Sequence, residues 1–418
     1  MSGTGHDFST KPGMSLEFTA EAPSLVPLER ALKWENGIDL GQIGETKVTG
    51  SLAATFAKAD VNIKSTFGVN KLDVKGTLRS ATLKQFPNIG STDLVVDGRS
   101  SSLAAVIDQF DLGLTKPRAQ DDKPIRVAGR VKTSAGMVDM DGMVAVAGGQ
   151  MVVKGRRKMQ GQMATLDLDL DVKSKEMREF IRGLGVDFRP SAQKLGALGL
   201  KVKVTGSGEK YTLSNIVGDL GPVKLSGTGH VNMAPAKPVF DFNLKAGDIP
   251  LQDFLPPNAP QKDKRAYGNW STDPMDLSIL SAYEGRAQIS AANLQYNKYN
   301  FENPTFETSL KDGVLRISNF SGRLFGGEAV LTADLDSKGV PNMTINMTVK
   351  QASLVKATQA AAGIAPVTGF FDMTGQYTAK GKSQQALMSS LSGGGKVVAS
   401  PGMISGIDVP ALSRRLDK

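Results

Sequence analysis

The sequence predicts a mostly β protein: antiparallel, assembled from repeated units, with a few short amphipathic helices. Three observations carry that expectation. Apolar residues recur at every second position in run after run, the period at which strand side chains change face. Glycine is frequent, at 46 of 418 residues, as many tight turns between short strands require. An ordered block of motifs also recurs along the chain, which is the mark of stacked units.

The strands come first. "KLDVKGTL" (Lys71–Leu78), "LDLDLDVK" (Leu166–Lys173), "LKVKVTG" (Leu200–Gly206), "VFDFNLK" (Val239–Lys245), "VLRISNF" (Val314–Phe320) and "MTINMTVK" (Met343–Lys350) all alternate apolar with polar. Each reads as a strand with one wet and one apolar face. Most are followed by glycine or polar turn residues, the pattern of an antiparallel meander.

Helical patterns are few. "PSLVPLERAL" (Pro23–Leu32), "SLAAVIDQF" (Ser102–Phe110), "KEMREFIRGL" (Lys175–Leu184), "ASLVKATQAAAG" (Ala352–Gly363) and "SQQALMSSL" (Ser383–Leu391) each carry a short apolar stripe. They are expected to plug or cap the sheet.

The order strand, helix, strand repeats. "SLEFTAEAPSLVPLERAL" precedes "LGQIGETKVTGS" (Leu40–Ser51), and "LDLDLDVKSKEMREFIRGL" precedes "LGALGLKVKVTGS" (Leu195–Ser207). A third, weaker copy runs from "MTINMTVK" to Gly375. Such units cannot bury their apolar faces alone and must stack. Two proline-bearing breaks, Thr115–Pro124 and Leu255–Gly268, divide the chain. The expected organisation is a disordered tail over 1–13, β-rich repeat modules over 14–114 and 115–256, a Pro/Lys-rich linker over 257–267 and a last module over 268–418.

Composition excludes several chemistries. With no cysteine there is no disulfide, thiolate nucleophile or cysteine metal site. Of the two histidines, His6 falls in the expected tail and His230 stands alone in a strand-like run. Asp167, Asp169 and Asp171 share one strand face and read as a solvated face, with lysine pairing or weak calcium binding as the sharper alternative. "SLSGGGKVVAS" (Ser390–Ser400) lacks the spacing and the hydroxyl residue of a phosphate loop, and neither G-x-S-x-G nor H-E-x-x-H occurs. No enzyme activity, metal or cofactor is expected. The net charge of +9 is mild for this length. The basic clusters Lys154–Lys158 and Lys262–Arg265 read as solvated loops, with anionic lipid headgroups as the alternative; no nucleic-acid motif is present. No apolar run reaches the ~18 residues of a membrane span.

The most specific signal follows the second break. Residues Gly268–Asp336 carry Trp270-Ser271, Asp273-Pro274-x-Asp276-Leu277, Leu310-x-Asp312-Gly313-x-Leu315 and Phe325-Gly326-Gly327. Residues Leu387–Leu416 add a short helix, a glycine-rich strand and Gly406-Ile407-Asp408-Val409. Together these resemble the AsmA-like C-terminal region of Gram-negative envelope proteins, and the upstream repeats resemble that family's middle region. The resemblance implies an elongated, curved antiparallel β-sheet groove related to bridge-like lipid transfer proteins. It implies a protein held in the inner membrane by an N-terminal helix, with its bulk in the periplasm, linked to outer-membrane biogenesis and phospholipid movement. This chain shows no such anchor and stops soon after Asp408, so the last module is expected to be truncated and the chain to be an interior slice or one read from a wrong start.

Alternation alone leaves an open groove and a closed core as alternatives; the resemblance implies the groove. Its expected lining is Leu166, Leu168 and Leu170, then Val202 and Val204, then Phe240, Phe242 and Leu244, then Leu315 and Ile317, and finally Ile345, Met347 and Val349. The expected partners are phospholipid, bacterial membranes and further envelope proteins. The competing expectation is a non-enzymatic scaffold or assembly factor for outer-membrane proteins.

Overall fold

The structure, a computed structural model, describes residues 2–6, 13–24, 44–55, 57–80, 89–110, 112, 114–160, 163–255, 270–363, 367–400 and 402–403. The chain forms two compact units: Met1–Phe188 with Lys194–Gly221, and Arg189–Gln193 with Pro222–Lys418.

The first unit is built from β1 (Ser2–His6), β2 (Gly13–Ala22), β3 (Thr46–Thr55), β4 (Lys58–Phe67), β5 (Asn70–Ser80), β6 (Ile89–Ser100), β7 (Ile125–Ser134), β8 (Met137–Val146), β9 (Gly149–Gln160), β10 (Met163–Ser174), β11 (Leu198–Ser207) and β12 (Lys210–Leu220). Each strand pairs antiparallel with the next in sequence. This is a meander, and short connections enforce it. Ala135-Gly136 and Ala147-Gly148 join their hairpins with both residues at positive φ, the backbone of a turn whose twist matches the flanking strands. Helices Leu103–Gln109 and Met177–Gly183 are inserted between β6 and β7 and between β10 and β11. Ser102 caps the first of these, accepting from the Ala105 N–H at 2.9 Å.

The second unit contains β13 (Val223–Asn232), β14 (Val239–Pro250), β15 (Glu284–Tyr296), β16 (Tyr299–Lys311), β17 (Val314–Leu324), β18 (Gly327–Asp336), β19 (Asn342–Ser353), β20 (Phe370–Lys380) and β21 (Ser392–Ala399). Neighbours again pair in sequence order, antiparallel except for β14 with β15, which run parallel. A parallel pair needs a long crossover, and the stretch between Pro250 and Glu284 supplies it. Helices Leu354–Ala362 and Gln384–Ser389 match expected helical stretches; Leu251–Phe254 and Ile279–Ala282 are further short helices in the crossover.

All six alternating runs are strands, and four of the five helical stretches are helices; Pro23–Leu32 lies largely outside the described residues. Three expectations need correction or restatement. Within the expected 1–13 tail, the described residues Ser2–His6 pair with Gly13–Glu17; strand pairing uses backbone groups and needs no apolar pattern. Lys154–Lys158 is not a loop but part of β9: Lys154, Arg156 and Lys158 share one strand face, while Arg157 is paired with Val138 and Leu166 on the other. Along the sequence the chain passes from the first unit to the second between Gly221 and Pro222, within the expected 115–256 module. The expected linker at 257–267, with Lys262–Arg265, lies outside the described residues.

Among the described residues, the buried clusters include ones beside helices. In the second unit Leu324, Ala329, Val349, Ala352 and Phe371 are buried together, with Leu354 and Ala357 of the Leu354–Ala362 helix packed on them. In the first unit Leu103 and Ile107 are buried on one helix and Met177 and Phe180 on the other.

Candidate functional site

Paired residues on adjacent strands point to the same side of a sheet, so register converts alternation into continuous rows. In the first unit one row runs Leu16, Leu52, Val61, Gly76, Leu94, Val131, Met140, Gly155, Leu168, Val204, Leu213, from β2 to β12. A second runs beside it through Val74, Val96, Gly129, Gly142, Val153, Leu170 and Val202. Neither contains a polar side chain. At about 4.8 Å per strand, the first row covers roughly 48 Å of sheet.

The second unit has its own rows. Phe242, Ala287, Thr308, Ile317, Ala333, Ile345 and Tyr377 align, as do Leu244, Ile289, Phe306, Phe320, Leu331 and Met347. Phe240 and Phe242 stack at 6.0 Å, and Tyr283 meets Phe240 edge-on at 5.5 Å. With Leu280, Leu310 and Leu315 these rings line a cleft of about 480 Å³.

All thirteen expected lining residues fall on these apolar faces. Eleven are only partly buried, which a closed sandwich core would not leave. Val204, at 9% exposure, is nearly covered. Val349 is 2% exposed beneath the Leu354–Ala362 helix. It is a core residue rather than an accessible lining residue, because that helix covers its end of β19.

Glycine on the apolar faces was the feature alternation did not flag, although "KLDVKGTL" already sets Gly76 in phase with Leu72, Val74 and Leu78. Gly155 (φ +146°) faces Leu168, and Gly285 (φ +150°) faces Phe240. A Cβ would lie 2.1 Å from the Asp167 carbonyl oxygen at the first site and 2.1 Å from that of Phe240 at the second. Missing side chains at such sites let a strand bend toward its apolar side.

The opposite face is charged and internally paired. Lys203 donates to Asp167 at 2.6 Å and lies 3.8 Å from Asp169, while Lys173 reaches Asp171 at 2.9 Å. The Asp167 hydrogen bond raises the Lys203 pKa. The aspartates of "LDLDLDV" are thus the wet side of β10, in lysine pairs. Lys154 and Arg156 of β9 meet Asp141 and Asp139 in the same way. Arg130 grips Asp93 with two hydrogen bonds of 2.6 Å and lowers its pKa. Hydrogen bonds from Arg99 and then Arg126 hold the Asp97 carboxyl far below the usual range. Across the parallel pair, the Arg286 guanidinium donates to Asp241 at 2.6 Å and lowers that carboxyl in turn. His230 is exposed on β13 opposite Asp241. Each exposed pair contributes little stability, and together they keep this face in water. Among the described residues no group of three or more metal-ligating side chains occurs, and no helix is long and apolar enough to cross a membrane.

The protein is therefore defined, unit by unit, as an open β-sheet protein with an apolar lane on one face and ion pairs on the other. The chain belongs to the AsmA family, whose profile it matches over residues 152–416. Comparison with curated proteins and with solved structures gives no match. Family membership points to an envelope-related role.

Proposed function

We propose that the protein works in the periplasm of a Gram-negative envelope, binding phospholipid and conducting it along its apolar lanes between inner and outer membrane. It does so without enzymatic chemistry and without a cofactor. The observation that carries this reading is the apolar row from β2 to β12, free of polar side chains and partly exposed at every position but Val204. Taking a diacyl lipid through water exposes about thirty CH₂ groups at ~0.8 kcal/mol each, roughly 25 kcal/mol. A lane with no polar break removes much of that barrier and holds the chains nowhere in particular, so they can slide.

The test is mass spectrometry of lipids extracted from the purified protein beside a matched soluble control. Stoichiometric phospholipid, lost on Leu168→Asp or Phe242→Asp, supports the lane. A folded protein carrying no lipid above the control overturns it. One observation favours the scaffold reading: β21 pairs with β20 alone among the described residues and is exposed along its whole length. Such an edge can take a partner's strand. A lipid-free protein that captures an outer-membrane protein, and loses it on Val398→Pro, supports that alternative.

A further inference from the structure

A second cavity lies in the first unit, between the Leu103–Gln109 helix and the ends of β4 to β7. It holds about 320 Å³ and is walled by Phe67, Leu72, Val96, Val106, Phe110 and Val127. Leu72, Val96 and Val127 belong to the apolar face, so the cavity is continuous with it. It is about twice the ~150 Å³ of an apolar cavity that takes up benzene, and so has room for on the order of ten chain carbons.

Asn70, Lys71, Arg99 and Ser100 also line this cavity; the Ser100 hydroxyl is paired with Ser102 and the Arg99 guanidinium with Asp97. Asn70 lines the cavity and is only 6% exposed. Its amide orientation is set by a relay: Asn70 Nδ2 donates to Gln109 Oε1, and Gln109 Nε2 donates to the Phe67 carbonyl at 3.4 Å. With the nitrogen committed to Gln109, Asn70 Oδ1 is left buried with no hydrogen-bond partner among the described residues. A buried acceptor without a donor is costly and is seldom left so.

We propose that this cavity is a binding site for an aliphatic chain carrying a hydroxyl group, whose O–H donates to Asn70 Oδ1 while the hydrocarbon fills the apolar wall. A plain alkyl chain fits the same volume but leaves the acceptor unpaired. The cavity therefore selects for the hydroxyl. This assignment rests on the lane reading only in that the cavity opens onto the apolar face.

The test uses the full chain and two probes of nearly equal length, 1-decanol and 1-methoxydecane, titrated by calorimetry. The ether keeps the oxygen and lacks the donor. The alcohol is expected to bind about tenfold more tightly, 1.4 kcal/mol being a factor of ten. Asn70→Leu should bring the two probes level, and Val106→Trp, which fills the cavity, should abolish both. Equal affinity for the two probes in the unaltered protein, no binding of the alcohol, or binding that survives Val106→Trp each overturns the proposal. The first and last of these need no Asn70 variant, so a poorly folding Asn70→Leu does not blunt the test. The lane is read separately: alcohol preference without co-purifying phospholipid sinks the lane alone, and phospholipid without alcohol preference sinks the cavity site alone.

Discussion

Replacing Leu168 by Asp puts a carboxylate into the longer apolar row of the first unit, between Gly155 and Val204. Leu168 is largely but not fully buried, so losing it forfeits most of the 1.5–3 kcal/mol of a fully buried leucine, roughly 1–2.5 kcal/mol. Poorer fit of aspartate to a strand adds up to ~1 kcal/mol. On an open face the carboxylate keeps much of its water, and the total stays near 2–3 kcal/mol. In a closed core the same charge is desolvated at several kcal/mol more, which exhausts a typical stability of ~5–15 kcal/mol when added to the lost packing. Urea unfolding followed by circular dichroism separates the two. A shift in midpoint at unchanged slope, equivalent to about 2–3 kcal/mol, is expected. A loss above about 5 kcal/mol, or failure to fold, refutes the open face.

Val349→Ala should cost more than its small size suggests, about 2 kcal/mol by the same assay, because Val349 is packed beneath a helix. Gly155→Ala should cost about 2–3 kcal/mol, since its φ excludes an L side chain and its Cβ meets the Asp167 carbonyl; hydrogen exchange should locate the loss at β9 and β10. Asp97 has a depressed folded pKa, so its stabilisation is present above the ordinary carboxylate range and is lost as pH falls through the folded value. The stability gap between the unaltered protein and Asp97→Asn should be full above about pH 5 and shrink below about pH 4. A gap that widens on acidification contradicts the arginine contacts.

The strands were legible because each has water on one side. That alternation is written residue by residue, as in Leu166–Val172, and it also marks which side is apolar. Lysine pairing of Asp167 was an open alternative, but its partner Lys203 was not legible, because the two come together only through the β10–β11 register. The Lys154–Lys158 cluster looked like a loop for the same reason: its carboxylate partners Asp139 and Asp141 sit on another strand. Strand β1 carried no apolar alternation at all. The parallel β14–β15 pair is invisible to any side-chain period, because direction is set by the length of the crossover. Val349 shares its neighbours' alternation, and only the helix that follows it decides that it is covered.

What makes an apolar β face a lane rather than half a core is the amount of second layer available to cover it. In the first unit the described second layer consists of two seven-residue helices. Each is about 10 Å long and about 10 Å across, against a row of roughly 48 Å. They follow the ends of β6 and β10, where they bury Leu103, Ile107, Met177 and Phe180, and two such helices cannot roof the strands between. Leu94, Val131, Met140 and Leu168 accordingly remain partly exposed. Burying more of each such side chain is worth ~25 cal/mol per Å² of apolar area. Hydrocarbon laid along the row would recover that free energy without any change in the sheet, and this is the physical ground on which the proposed lipid occupant rests.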